Sequence, residues 1–174
     1  MLQDLGRQRN ALSPHTSASE NGYMQGAAAT IRLSDAIRIT PFLSYRKTDA
    51  TLNIDGSISS LIYTGYHRTI SELNKKNNTS LTAGGMNARW NLEDFSLGAT
   101  AVFTHINRPL SPNKSATYKK IYPEGSNFFN ASLNYSWLHY PFSVNGETAI
   151  NANGAIATMN TLGWHLSQYV EVMG

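Results

Sequence analysis

Six charged side chains sit at alternating positions of a chain that is otherwise poor in charge, and they are the groups best placed to meet an ion or a ligand. Arg38, Arg46 and Arg89 each fall opposite a run of apolar residues spaced two apart. Arg32 is placed with them, and Glu147 and Glu171 join the same set. Guanidinium groups gathered along a pore attract anions, whereas guanidinium and carboxylate groups that face one another fill an interior with ion pairs. The structural network is the preferred expectation, because narrow barrels fill with side chains. If the interior is open instead, four arginines against two glutamates make it electropositive.

The remaining polar residues support no enzyme chemistry. His15, His67, His105, His139 and His165 never lie two or four apart, and none adjoins a ligand-like carboxylate, so no metal site is expected. Residues 51–62 place Asn53, Asp55 and Gly56 as a calcium loop would, but Thr51 and Ile62 stand where that loop needs Asp and Glu. A hairpin turn of type I′ at Asp55-Gly56 is the expectation there. Tyr66-His67-Arg68 reads as a loop anchor. There is no nucleophile elbow, phosphate loop or dinucleotide fingerprint, and neither catalysis nor a cofactor is expected. Five Asn-x-Ser/Thr sites, at Asn77, Asn78, Asn113, Asn130 and Asn134, carry meaning only in a eukaryotic secretory context. Lys75-Lys76 and Lys119-Lys120 read as solvated loop charges. A net charge of +3, scattered along the chain, gives no basic stripe, and nucleic acid is not expected as a partner of this segment.

The elements that must position the charged set are strands. In 129–137, Phe129, Ala131, Leu133, Tyr135 and Trp137 alternate with Asn130, Ser132, Asn134 and Ser136. Side chains alternate across a strand, so one face is apolar and the other wet. The same pattern recurs in 36–46, 86–92, 95–104 and 142–150, with Phe42 and Val102 as exceptions on the wet face. Strands are also expected at 23–33, 154–162 and 164–172. The apolar face is thin, with Ala27, Ala29, Ala99 and Ala131 among its aromatics. Lipid accepts small residues without leaving a cavity, and a packed core does not.

Composition agrees with that setting. Charged residues make up 14% and hydrophobic ones 41%, against about 25% charged in an ordinary soluble domain. The difference is made up by Ser, Thr, Asn and Gly, as a barrel with a polar interior requires. No apolar run approaches the ~18 residues of a spanning helix, and a barrel needs none. The absence of cysteine excludes disulfides. Met1-Leu2-Gln3-Asp4-Leu5 has neither a basic nor an apolar signal region, so the export signal is expected outside this chain.

Turn lengths divide the chain into an irregular segment at 1–21 and a β region at 22–174. Ser34-Asp35, Glu93-Asp94 and His139-Tyr140-Pro141 are short reversals. Long loops are expected at about 47–78 and 106–127, with a helical turn at 71–76 capped by Ser71. Short reversals are also expected at 151–154 and near Leu162-Gly163. Short turns at one end and long loops at the other is the asymmetry of bacterial barrels. The expected fold is therefore all-β: an antiparallel up-and-down meander of about seven or eight strands, part or all of an outer-membrane β-barrel in contact with outer-membrane lipids.

One resemblance bears on this reading. Gly26-Ala27-Ala28-Ala29-Thr30, 44–51, Thr64-Gly65-Tyr66-His67-Arg68-Thr69, Gly146-Glu147-Thr148-Ala149-Ile150 and Ile156-Ala157-Thr158 resemble a family of large Bacteroidetes envelope proteins. Those proteins carry a helix-hairpin-helix segment similar to that of competence DNA receptors, followed by a long predicted outer-membrane barrel. The resemblance covers most of 22–160 and only the middle part of that barrel region. It implies a bacterial outer-membrane location and a fragment of a longer protein. The helix-hairpin-helix segment is absent here, and no functional residues carry over. The expected role is transport or docking at the cell surface, linked to DNA uptake only through the full-length protein. The rival readings are a soluble or surface-exposed β-sheet module that binds protein or glycan, and an outer-membrane enzyme with its site in the loops.

Overall fold

The computed structural model describes residues 23–115, 117, 120–167 and 170–173, with backbone alone at 165–167 and 170–173. The segment expected to be irregular, 1–21, lies outside the described residues. The chain is all-β and barrel-like, as its alternation predicts. Its strands are β1 (Gln25–Ala28), β2 (Ile31–Arg32), β3 (Ile37–Leu52), β4 (Ile58–Ile62), β5 (Thr79–Asn91), β6 (Phe95–Leu110), β7 (Gly125–His139), β8 (Phe142–Asn151), β9 (Ile156–Ser167) and β10 (Val170–Met173). A single helical turn, α1 (Ile70–Leu73), lies between β4 and β5. No helix among the described residues is long and apolar enough to cross a membrane.

The wall is a meander in which β3, β5, β6, β7, β8, β9 and β10 pair antiparallel in turn. β1 and β2 flank β3 in one continuous register, Ala28 opposite Phe42 and Ile31 opposite Ile39. Pro41 explains the break between them. The Ala29 N–H donates to the Pro41 carbonyl at 3.2 Å, and proline has no N–H to return the bond. β1 and β10 stand at the two ends of the hydrogen-bonded path.

Several strands run further than their alternation suggests. β3 continues to Leu52, β5 begins at Thr79, β6 continues to Leu110 and β7 begins at Gly125, so the loops expected at 47–78 and 106–127 are shorter. The extensions have a packing reason. Ala50, Ile58 and Ile106 form the only fully buried apolar cluster among the described residues, with Leu52, Leu61, Leu81, Leu110 and Phe128 against it. β4 pairs with Asp49–Leu52 of β3 and bridges to β6 at Ile58 and Leu110, joining the two beyond the end of β5. Burial of these side chains holds the strands together past the alternating region.

Three local expectations need correction. No reversal occurs at Leu162-Gly163, because those residues pair with Val144 and Ser143 and β9 runs through to Ser167. The turn at Asp55-Gly56 is not type I′. Only Gly56 has a positive φ, of 80°, and its N–H donates to the Asn53 carbonyl at 3.0 Å. Asp55 is held instead by accepting the Ser57 N–H and hydroxyl, at 2.9 and 2.6 Å, an arrangement that needs no left-handed backbone. The helical turn starts earlier than expected and is capped by Thr69, not Ser71. Thr69 accepts from the Glu72 N–H, and Glu72 accepts from the Thr69 N–H, a complete capping box.

Candidate functional site: an arginine row on the inner face

Register determines which side chains share a face, since direct cross-strand partners project the same way. One transverse row runs Ile39, Ala88, Ala99, Leu133, Thr148 and Thr158. It belongs to the outward face, where Leu43, Met86, Phe103, Leu133 and Ile150 are 45–60% exposed. All three tryptophans, Trp90, Trp137 and Trp164, lie on this face toward the short turns, with Trp164 stacked on Phe142. Tyr45, Phe103 and Phe129 lie on the same face toward the long loops. Its polar groups satisfy each other. The Thr148 and Thr158 hydroxyls meet at 3.0 Å, and the Tyr135 hydroxyl donates to Asn160 Oδ1. Gly146 makes that last contact possible, because a Cβ there would collide with the Tyr135 ring.

The opposite, inner face carries the charged set. A single row there runs Arg32, Arg38, Arg89, Gly98, Asn134, Glu147 and Met159. Arg32 is thus directly opposite Arg38, and Arg38 directly opposite Arg89. Glu147 lies three strands beyond Arg89, about 14 Å along the wall at ~4.8 Å per strand. Of the ion-pair network expected among these residues, no pair joins Arg32, Arg38 or Arg89 to Glu147 among the described residues. Arg46 is on the same face but eight residues up β3, with its guanidinium 5.9 Å from the Tyr63 ring centroid. Glu171 lies in β10, and its side chain lies outside the described residues.

Beside Arg89 is a recess of about 200 Å³, lined from the inner face by Arg89, Asn91, Ser96, Gly98, Asn134 and Ser136. Gly98 admits the Asn134 amide to its lining. A Cβ at that position would overlap Asn134 Oδ1, so the Asn134 amide leans across β6 only because residue 98 has no side chain. The recess is therefore furnished with guanidinium, amide and hydroxyl groups and contains no carboxylate. It can bind an oxyanion, and it contains no pair of groups arranged for proton transfer or nucleophilic attack. Among the described residues, no three His, Asp or Glu side chains gather as a metal would require.

The inner face changes character toward the long loops. Phe42 and Val102 are both inward, in a row with Gly85, and Phe128, Leu81 and Ile106 follow above them. The two exceptions to the sequence alternation thus meet in one inward row, below the buried cluster. A polar group of its own closes this end. Asp49 is 2% exposed, accepts from the Asn77 N–H at 2.8 Å and lies 2.7 Å from His67 Nε2. His67 therefore ties the 63–69 segment to β3. Arg108 donates to the Asn78 and Gly56 carbonyls, at 3.2 Å each. Sequence reasoning ended β6 at residue 104 and so missed Arg108. The one available signal was that Ile106 and Leu110 continue the even-numbered set. In the loop, the Glu72 carboxyl is held below its ordinary range by the Arg68 and Thr69 N–H groups, and Asp55 likewise by Ser57.

Comparison of the chain with protein-family models, with curated proteins and with solved structures finds no match.

Proposed function

We propose that this chain is a wall segment of a bacterial outer-membrane β-barrel, non-enzymatic, with a role in docking or passage of solutes at the cell surface. The observation that carries the reading is the outward apolar belt. From Trp137 to Phe129 is eight residues, about 26 Å along the strand and ~20 Å across a membrane at a tilt near 40°. With the next row beyond Trp137, that of His139, Phe142 and Trp164, the belt reaches ~25 Å, the height of the apolar band of an outer-membrane barrel. Aromatics stand at both borders, where an amphipathic ring sits at the headgroup level. The short-turn end then faces the periplasm, and the apolar cluster with its β4 hairpin faces outside. The sequence resemblance to Bacteroidetes envelope proteins supports the same location. Its link to DNA attaches to the helix-hairpin-helix segment and gives these residues no nucleic-acid role.

The test uses the three tryptophans as depth markers. The purified chain is folded into vesicles whose acyl chains carry bromine near the headgroup or near the bilayer centre. Shallow bromines are expected to quench tryptophan fluorescence strongly and deep bromines less. Fluorescence untouched by either lipid would refute the membrane reading in favour of a soluble sheet.

A further inference from the structure

Arg32, Arg38 and Arg89 occupy three adjacent places in one inner row, and no acidic side chain among the described residues forms an ion pair with them. Asp94 is engaged with His139 at 3.2 Å, and Asp35 and Glu93 form no ion pair among the described residues. Like charges directly opposite on neighbouring strands destabilise a sheet. An arrangement that costs stability in the empty protein is accounted for if a bound group supplies the missing negative charge. We infer that this row and the adjoining recess form a binding site for a dissolved phosphate or diphosphate group.

The chemistry of the site selects that class. Cross-strand neighbours have Cβ atoms ~5 Å apart, so three arginines span about 10 Å of wall, more than a single halide can bridge. A guanidinium offers a planar fork of donors that matches two oxygens of one phosphate. Asn91, Ser96 and the Asn134 amide add neutral polar groups on the side away from Arg32, with the Ser136 hydroxyl already given to Asn145 Oδ1. The row lies on the face opposite the apolar belt, so the ligand arrives through water and not as a lipid headgroup. The inference needs the register and the accessibility of the inner face, and holds whether or not the belt meets lipid.

Thermal unfolding of the full chain in a phosphate-free detergent tests it, with inorganic pyrophosphate as the probe and chloride at equal ionic strength as the control. The wild-type protein should gain stability with pyrophosphate beyond the chloride control, because a ligand that binds only the folded state stabilises it by mass action. Arg38→Gln and Arg89→Gln should bind at least tenfold more weakly, yet match or exceed wild-type stability without the ligand, since each removes a like-charge contact. Arg46→Gln, outside the row, should keep the pyrophosphate effect. Arg38→Lys and Arg89→Lys retain the charge but lose the fork, and should give an intermediate loss if the glutamine variants do not fold. No stabilisation beyond chloride, or equal stabilisation in wild type and all variants, would overturn the inference. Stabilisation already present in phosphocholine micelles and abolished by Arg38→Gln would overturn its assignment to a dissolved anion. None of these outcomes alters the tryptophan quenching, so the two readings fail independently.

Discussion

Replacing Leu133 by Arg should be among the most damaging single changes the outward face can receive. Leu133 lies four residues from Trp137 and four from Phe129 on β7. That is about 13 Å along the strand and ~10 Å along the membrane normal in each direction, which puts it at the centre of the belt. Its side chain is 45% exposed between Ala99 and Thr148, with no cation-accepting group beside it. An arginine at the midplane of a barrel costs ~2–4 kcal/mol, or roughly 30- to 700-fold in the folding equilibrium. The adjacent residue gives the internal control. Asn134 is inward and directly opposite Glu147, so Asn134→Arg acquires a cross-strand partner worth about 0.2–1 kcal/mol. Urea unfolding of both variants from vesicles should therefore show a large loss for Leu133→Arg and little or none for Asn134→Arg. Equal costs at the two positions would refute the assignment of faces, and with it the lipid contact.

Three further changes probe the rest of the structure. Ile58→Ala should cost ~2–5 kcal/mol by opening a cavity in the buried cluster, and hydrogen exchange should show the loosening in β4 and the ends of β3 and β6, with β8 protected as before. Gly85→Leu should destabilise the wall by at least ~1–3 kcal/mol in denaturant unfolding, since even a Cβ there overlaps the Ala101 carbonyl and lies 2.7 Å from the Phe42 ring. The Glu72 carboxyl is lowered by the N–H bonds of the capping box, so its contribution is present above the ordinary glutamate pKa and is lost as pH falls through the lowered folded value. Protease cutting near Lys75 should consequently accelerate in acid, and Glu72→Gln should abolish that dependence.

Alternation alone settles which side chains share a face within one strand. The period of two is imposed by backbone geometry, so Leu133 and Asn134 had to part company, and short turns at Ser34-Asp35, Glu93-Asp94 and Tyr140-Pro141 had to join antiparallel neighbours. Composition likewise made a helix-spanning or disulfide-built protein impossible for this chain. The strand ends were not legible, because past residue 46 in β3 and residue 104 in β6 the pattern gives way to side chains whose burial depends on distant partners. Phe42 and Val102 looked like errors in the pattern for the same reason: they share a row across Gly85, and three different strands must pair to make it.

The arginine row shows where the division falls. Sequence placed Arg32, Arg38 and Arg89 on one face, yet it could not distinguish arginines scattered over the height of a lumen from arginines abreast. Register decides that, and register is a property of strand pairs: a shift of two residues in β5 would keep Arg89 inward and move it ~7 Å from Arg38. The pairing of Ile31 with Ile39, of Ile37 with Trp90 and of Thr48 with Thr79 brings the three arginines level. The same pairing leaves Glu147 on the row but out of contact. What reads in the chain as an electropositive set of inward charges is, once the strands are paired, a cationic ledge with no ion-paired carboxylate among the described residues.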